Sequence, residues 1–201
     1  MVVLMDSVVP DITQLRALSH PVRMRLLGML RTLGPATASQ VARRLGLNSG
    51  ATSYHLRQLA EHGFIEEAPE LGNKRERWWR AANLMTSVRD EDVTTDEGRD
   101  ATDAFHQLAV THSASRMQAA AARRGGDSDE WRPLTSISDL QVPVTAEQAA
   151  AIQSRFERLV WEVLEEHPPS PGALEDGQRR YAVIVSSFPT EDEAAWEGSD
   201  D

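Results

Sequence analysis

The chain has 201 residues and a mass of 22.3 kDa, enough for one or two domains with a buried core. Hydrophobic residues make up 40% and charged residues 26%, a mixture that excludes a disordered or fibrous chain. The absence of cysteine excludes disulfides, thiolate metal sites and cysteine nucleophiles. No apolar run approaches the roughly 18 residues that a membrane span needs, and residues 1–5 lack the length and basic charge of a signal peptide. We therefore expect a cytoplasmic protein.

The net charge of -10 hides an asymmetry along the chain. Residues 12–82 carry eleven basic and five acidic side chains, a net charge of +6, whereas residues 83–201 have a net charge of -14. Such an asymmetry favours a nucleic-acid-facing module joined to a module that faces something else, although chance clustering is the simpler alternative. The motifs have to decide between the two interpretations.

The first predicted elements are two helices. Asp11 is the expected N-cap of a short helix through Leu18, and Ser19 is the expected N-cap of the next, with Pro21 in its first turn. The second helix ends at Gly34, and its apolar residues recur at the spacing of one buried face: Val22, Leu26, Leu30 and Leu33.

Two further helices follow, separated by a tight turn. Thr37 and Gln40 form a capping-box pattern before a short helix with Val41, Ala42 and Leu45 facing inward. Gly46 favours a left-handed turn, and Asn48 is the expected cap of a helix over Ser49–Glu61. The buried stripe of that helix would be Thr52, Leu56 and Leu59, and its exposed side would carry Ser49, Gly50, Ser53, Tyr54 and Arg57. A short helix, a glycine turn and a helix with a polar outer face are typical of helix-turn-helix DNA readers.

A β-hairpin with a basic tip is predicted after Gly63. Residues 64–67 and 77–80 form its strands, joined by a turn over 70–76. Lys74, Arg75 and Arg77 would reach phosphates or a minor groove. Because side chains alternate along a strand, only one of the adjacent Trp78 and Trp79 is expected in the core.

Three segments resemble one known family. Residues 15–27 resemble the opening of ArsR-type winged helix-turn-helix repressors, residues 51–59 resemble their recognition helix, and residues 75–80 resemble the wing of an actinobacterial branch. The resemblance covers residues 12–82 and implies a homodimeric, sequence-specific transcription regulator, usually a repressor released by a ligand. The metal-sensing members carry a cysteine pair that this chain lacks.

The rest of the chain is predicted to be helical. Residues 83–94 would form a linker, and a helix from Thr95 to Arg124 would carry a weakly apolar stripe: Ala101, Phe105, Leu108, His112 and Ser115. A loop over 125–143, with Trp131 and Leu134 as anchors, leads to a helix from Thr145 to His167. The buried stripe of that helix would be Ile152, Phe156, Leu159, Val160 and Val163.

The C-terminal end is predicted to lack further helices. Residues 181–188 are predicted to form a strand. Residues 190–201 carry six acidic and no basic side chains and are predicted to form a disordered tail.

Metal-binding and catalytic interpretations are weak. Asp103 and His106 lie at i, i+3 on a helix and could share an ion, but His112 points to another face and the family's Asp-x-His pattern is absent. No phosphate-binding loop, nucleophile elbow or His-Glu-x-x-His motif occurs in the sequence, so we expect no enzyme, metal or cofactor.

The sequence therefore predicts a mainly α protein with a small β-hairpin wing. A winged helix-turn-helix domain over 12–82 would be followed by a helix-rich dimerisation or sensing module over 95–189. The partners would be a pseudo-palindromic double-stranded DNA operator, a second copy of the chain and an effector that is a small molecule or a protein but not a metal. No membrane partner is expected. The predicted DNA contacts come from the recognition helix and the wing: Asn48, Ser49, Gly50, Ser53, Tyr54, His55, Arg57, Gln58, Lys74, Arg75 and Arg77. The alternative is a winged-helix protein-interaction module whose basic face binds an acidic protein instead of DNA.

Overall fold

A computed structural model describes residues 7–72, 76–86, 88, 93–168 and 174–190. The described chain is mainly helical with short strands, as the sequence predicts. Its helices are α1 (Ile12–Leu18), α2 (Pro21–Leu33), α3 (Ala38–Leu45), α4 (Ser49–Glu61), α5 (Asp96–Arg123) and α6 (Ala146–Glu166). Its strands are β1 (Ser7–Val8), β2 (Ala36–Thr37), β3 (Ile65–Glu67), β4 (Trp78–Ala81) and β5 (Met85–Thr86). Short 3-10 turns occupy Pro69–Leu71, Arg124–Gly126 and Arg132–Leu134.

The hydrophobic core lies among the first four helices and the three-stranded sheet. Leu26 and Leu30 of α2 pack with Leu56 and Leu59 of α4, and Phe64 completes this contact at the end of α4. Each of these side chains is at most 2% exposed. The inward stripe predicted for α4 is confirmed, because Thr52 is buried together with the two leucines. The outer face of α4 is thereby turned toward solvent.

Strand β4 is the centre of a three-stranded antiparallel sheet. It pairs with β3 in the predicted hairpin and with β2 on its other edge. Trp79 is buried and Trp78 is only half-buried, which confirms that one of the two indoles is in the core. The pairing of β2 with β4, and a separate parallel pair of β1 with β5, were not predicted. Strand β5 lies within the predicted linker over 83–94, so that segment contributes to the winged-helix body.

The helix caps confirm most of the capping predictions and correct one. Asp11, Thr37, Asn48 and Thr145 each accept a backbone hydrogen bond at the start of a helix, as predicted. The prediction that Ser19 caps α2 is wrong, because Ser19 lies at the C-terminal end of α1. His20 is the cap instead: its Nδ1 accepts from the backbone N–H of Val22 at 3.1 Å.

Helices α5 and α6 leave most of their surface uncovered. The buried residues of α5 all lie in its first turns, where the helix packs against α1: Gly98, Ala101 and Thr102. The prediction of a buried stripe on α6 is wrong for the single chain, because no residue of α6 is buried. Phe156, Leu159 and Val163 are 40%, 53% and 43% exposed. The stripe has the expected helical period, but no described element covers it.

The strand predicted over 181–188 is also wrong. The described segment 174–190 contains no strand, and Tyr181, Val183 and Phe188 are all largely exposed. An apolar run of this kind forms a strand only where a neighbouring strand edge is free to accept its backbone hydrogen bonds. Of the predicted acidic tail, only Thr190 is among the described residues. None of the described helices is long and apolar enough to cross a membrane.

Candidate nucleic-acid interface

Helices α3 and α4 form a helix-turn-helix unit with a three-residue turn over 46–48. Gly46 ends α3 with φ 66° and ψ 34°, a left-handed conformation that favours glycine. Asn48 then begins α4, its Oδ1 accepting from the N–H groups of Gly50 and Ala51 at 2.8 and 3.3 Å. The buried Thr52 hydroxyl donates to the Asn48 carbonyl at 2.9 Å. These local hydrogen bonds determine the angle at which α4 leaves the turn.

The opposite end of α4 is held by α1. The Gln14 amide donates from Nε2 to the His62 carbonyl at 2.9 Å, and its Oε1 accepts from the backbone N–H of Asp11. Because His62 lies at the C-terminal end of α4, this one side chain links the two helices. Sequence reasoning missed Gln14, since a capping pattern does not show the second contact of the amide.

The outer face of α4 carries the predicted contacts in an accessible position. Tyr54 is 52% exposed, and Ser49, Gly50 and Arg57 are also exposed. Arg57 lies along the helix, with Nε donating to the Ser53 carbonyl at 3.2 Å. No carboxylate in the described part of the chain forms an ion pair with Arg57. Its guanidinium is therefore available for phosphate or for a guanine edge.

Other predicted contacts on α4 are partly engaged within the protein. The Asn48 Oδ1 is used in the cap, which leaves its Nδ2 for an external acceptor. The Ser53 hydroxyl donates to the Ser49 carbonyl at 2.9 Å and keeps its acceptor capacity. Gln58 is half-buried and donates to Glu61 at 2.6 Å. The structure thus brings all the predicted α4 residues onto one helix and ranks Tyr54 and Arg57 as the most accessible large side chains.

The wing supplies one described basic residue from the prediction. Arg77 pairs with Glu67 at 3.2 Å and lies over the Trp79 ring, 5.7 Å from its centroid. Both partners of this ion pair are about half exposed, so the pair contributes little stability and a phosphate can compete for the guanidinium. Lys74 and Arg75 lie outside the described residues, and their predicted contacts stay predictions.

Two other arginines near the wing have structural partners. Arg80 donates to Glu66, directly opposite on β3, at 2.7 Å and also pairs with Glu70. The hydrogen bond to Glu66 and the charge of Glu70 raise the pKa of the Arg80 guanidinium. Arg31 is largely buried at the end of α2, and burial lowers its pKa to about 10. It donates to the Asn83 carbonyl at 2.8 Å and to the Thr86 hydroxyl at 3.0 Å. Arg31 therefore attaches the segment after the wing to α2, which no sequence pattern indicated.

A histidine pair lies where α4 meets the start of α2. The ring centroids of His20 and His55 are 4.6 Å apart. Burial lowers the pKa of His55 below its usual 6.5, and the charge of Arg23 and the proximity of His20 lower it further. Burial and Arg23 also lower the pKa of His20. His55 Nδ1 and Arg23 Nε are buried with no hydrogen-bond partner among the described residues. The Tyr54 and His55 rings lie edge to face with their centroids 5.4 Å apart. The predicted DNA contact of His55 stays a prediction.

We expect this pair to make stability depend on pH. In the unfolded chain both imidazoles titrate near 6.5, so just below that pH the unfolded state binds more protons than the folded state. The melting temperature should therefore be lower at about pH 5.5 than at about pH 7.5. Thermal unfolding followed by circular dichroism at the two pH values should show that His55→Gln reduces the difference.

The matched control is His106→Gln, which changes an exposed histidine of α5. This variant should retain the wild-type difference in melting temperature. Part of the dependence should also survive in His55→Gln, because burial lowers the pKa of His112 in the same direction. An identical pH dependence in His55→Gln and the wild type would contradict the expected role of the pair.

Comparison with known proteins supports the regulatory interpretation. The family model for a helix-turn-helix domain matches residues 18–68, which include α2, α3, α4 and β3. Over 79 residues the chain is 38% identical to the HTH-type transcriptional regulator YgaV of Escherichia coli (strain K12). That match covers 39% of this chain and 70% of the relative. The chain belongs to the HTH-type transcriptional regulators. In such regulators the second helix of the unit enters the major groove, which is the position of α4 here.

Two solved structures match about three quarters of the chain, with low sequence identity and low TM-scores. An apo-form mutant of ZitR from Lactococcus lactis is 15% identical, with a TM-score of 0.32, and the match covers 72% of this chain and 83% of that one. The transcriptional regulator Tm0710 from Thermotoga maritima is 10% identical, with a TM-score of 0.30, and the match covers 73% and 78%.

Proposed function

We propose that this regulator is a cytoplasmic, ArsR-like homodimeric repressor that binds a pseudo-palindromic operator and responds to a signal other than a metal ion. The observation that carries the proposal is the accessible polar face of α4, held from both ends by the turn at Gly46 and by Gln14. Tyr54 and Arg57 would contact base edges and backbone in a major groove, and Arg77 would contact the flanking phosphates.

A homodimer is supported by the uncovered stripe on α6. This helix is 21 residues long, begins with a full capping box, and has its apolar residues on one face. An exposed stripe of this length is unfavourable in water, and a two-fold axis allows the stripes of two copies to cover each other. A two-fold dimer would also present two α4 helices to half-sites about 34 Å apart.

A signal other than a metal is supported by the ligand types available. The sequence contains no cysteine, and the described residues contain no group of three or more histidine, aspartate or glutamate side chains placed to hold an ion. Asp103 and His106 are exposed neighbours on α5, but the Asp-x-His pattern of the family's other metal sensors is absent from the sequence.

A salt series tests DNA binding against the protein-partner alternative. The purified chain would be titrated onto fluorescent DNA from upstream of its own gene, with random competitor, and the dissociation constant followed by anisotropy. Phosphate contacts predict a log–log salt slope of about -0.9 per contact. Binding that survives competitor and weakens steeply with salt supports the proposal. A flat slope, or no binding to any duplex, favours a protein partner.

We expect Arg57→Ala to weaken operator binding by about 1–3 kcal/mol if its guanidinium reads a guanine. The matched control is Arg155→Ala, which removes an exposed arginine from α6, away from the helix-turn-helix unit. Anisotropy should show the loss for Arg57 alone, with both variants unchanged in circular dichroism. Equal affinity of Arg57→Ala and the wild type would remove Arg57 from the interface.

A further inference from the structure

A groove of 540 Å³ lies on the winged-helix body, between the end of α2, helix α3 and strand β4. Its apolar wall comes from the end of α2, the connection that follows it and strand β4: Met29, Leu33, Pro35 and Trp78. Arg43 and Arg44 of α3 also line the groove and are exposed. Neither arginine forms an ion pair with a carboxylate in the described ranges. The groove thus combines an apolar surface with two adjacent arginines that no carboxylate of the described ranges pairs with.

The C-terminal part of the chain passes beside this groove. Arg180 donates from Nε to the Thr32 carbonyl at 2.8 Å. Thr32 directly precedes Leu33 of the groove, and its carbonyl is one of those that the end of α2 leaves without a helical partner. A cation at this position also interacts favourably with the C-terminal end of the helix dipole. The contact brings the segment that follows Arg180 to the edge of the groove.

The sequence after Thr190 complements the groove chemically. Residues 191–201, the acidic segment, hold six carboxylates and no basic side chain, with Trp196 among them. Sixteen peptide units separate Trp196 from Arg180, a contour of up to about 53 Å when extended. Tyr181 to Thr190 contain no helix or strand and are largely exposed, so no packed element opposes a return of the chain to the groove.

We propose that the groove is the docking site of the acidic segment of the same chain. In the docked state Trp196 packs against the apolar wall of the groove, which includes Trp78. The carboxylates on either side of Trp196 pair with Arg43 and Arg44. The first helix of a helix-turn-helix unit lies near the DNA backbone, so the docked carboxylates take the place of phosphates beside α3. Docking therefore lowers the apparent affinity for any duplex in proportion to the fraction of protein that is docked.

A spin label tests the docking without DNA. Because the chain has no cysteine, Ser199→Cys provides a single attachment point. Paramagnetic broadening of the backbone amide signals of Leu33, Gly34 and Arg44, relative to the same protein with a diamagnetic label, is the expected result. High salt and Trp196→Ala should each reduce it.

Two results would overturn the docking. One is the absence of broadening at the groove. The other is broadening in a mixture of spin-labelled, unenriched protein and unlabelled, isotope-enriched protein, because the occupant would then be the other subunit.

The effect on DNA binding is measured with a random-sequence duplex at low salt. If the docked state is populated to about 90%, its removal increases apparent affinity about ten-fold. Trp196→Ala should therefore tighten non-specific binding by about five- to ten-fold. The matched control, Phe188→Ala, removes an aromatic side chain that is 75% exposed and lies before the acidic segment, and should have no effect.

Unchanged or weaker binding by Trp196→Ala would overturn the competition with DNA. This consequence rests on the proposed DNA binding, whereas the docking does not. A protein that binds no duplex but shows the intramolecular broadening would contradict the proposed function and retain the docking.

Discussion

Leu56→Ala should lower the free energy of unfolding by about 2–5 kcal/mol. Leu56 lies on the inner face of α4 and is 0% exposed, in contact with a core that includes Leu26, Leu30 and Phe64. Truncation removes buried methyl groups and leaves a cavity that the surrounding helices can fill only in part. Urea unfolding followed by circular dichroism, with linear extrapolation to water, measures the change.

The control for this substitution is Leu71→Ala. Leu71 lies in the 3-10 turn after β3 and is 48% exposed, so the same truncation should cost much less. The packing of the inner face keeps α4 folded, and DNA binding requires a folded α4. Leu56→Ala should therefore also weaken DNA binding near the melting temperature of the variant, but not well below it. A loss in stability equal to that of Leu71→Ala would contradict the packing of α4 described here.

Leu159→Asp should dissociate the proposed homodimer. Leu159 is 53% exposed in the single chain and lies in the middle of the α6 stripe, so the fold of one subunit does not depend on it. In a two-fold interface the substitution places two carboxylates in an apolar contact. At roughly 2 kcal/mol or more for each unpaired polar group, the dimer dissociation constant should rise about a thousand-fold. Analytical ultracentrifugation over a concentration series measures this rise.

Ser154→Asp is the matched control for Leu159→Asp. It introduces the same charge into the same helix, but on the face opposite the stripe, where Ser154 is exposed. This variant should remain dimeric, and both variants should keep the wild-type helix content in circular dichroism. A wild-type protein that is monomeric at all concentrations, or a Leu159→Asp variant that remains dimeric, would contradict the assignment of α6 to the interface.

Much of the winged-helix domain could be predicted from the sequence because its signals are local. The bounds of α4 were predicted to the residue, since Asn48 begins the helix and Gly63 follows its end. The αL turn at Gly46 and the capping box at Thr37 involve only residues a few positions apart. The spacing of Thr52, Leu56 and Leu59 likewise states which face of α4 is buried, because the helical period is the same in any helix.

Contacts between distant segments could not be predicted in this way. Ser19 and His20 are both able to cap a helix, and only the packing of α1 against α2 decides between them. The Gln14 bond to His62, the Arg31 bonds to Asn83 and Thr86, and the approach of His20 to His55 join residues that no periodicity relates. The accessibility of Arg57, compared with the pairing of Arg80, also depends on where the carboxylates of other strands lie.

Local signals in the sequence are enough to predict the helices, most of their caps and the buried face of α4, because backbone hydrogen bonding and side-chain period act within about four residues. The tertiary structure alone decided whether a patterned segment is covered. The stripe on α6 and the apolar run over 181–188 are both apolar patterns, yet both remain largely exposed, since burial requires a second surface that the pattern does not encode. The charge asymmetry is likewise visible in the sequence, but only the fold places Arg43, Arg44 and the Arg180 contact around one groove.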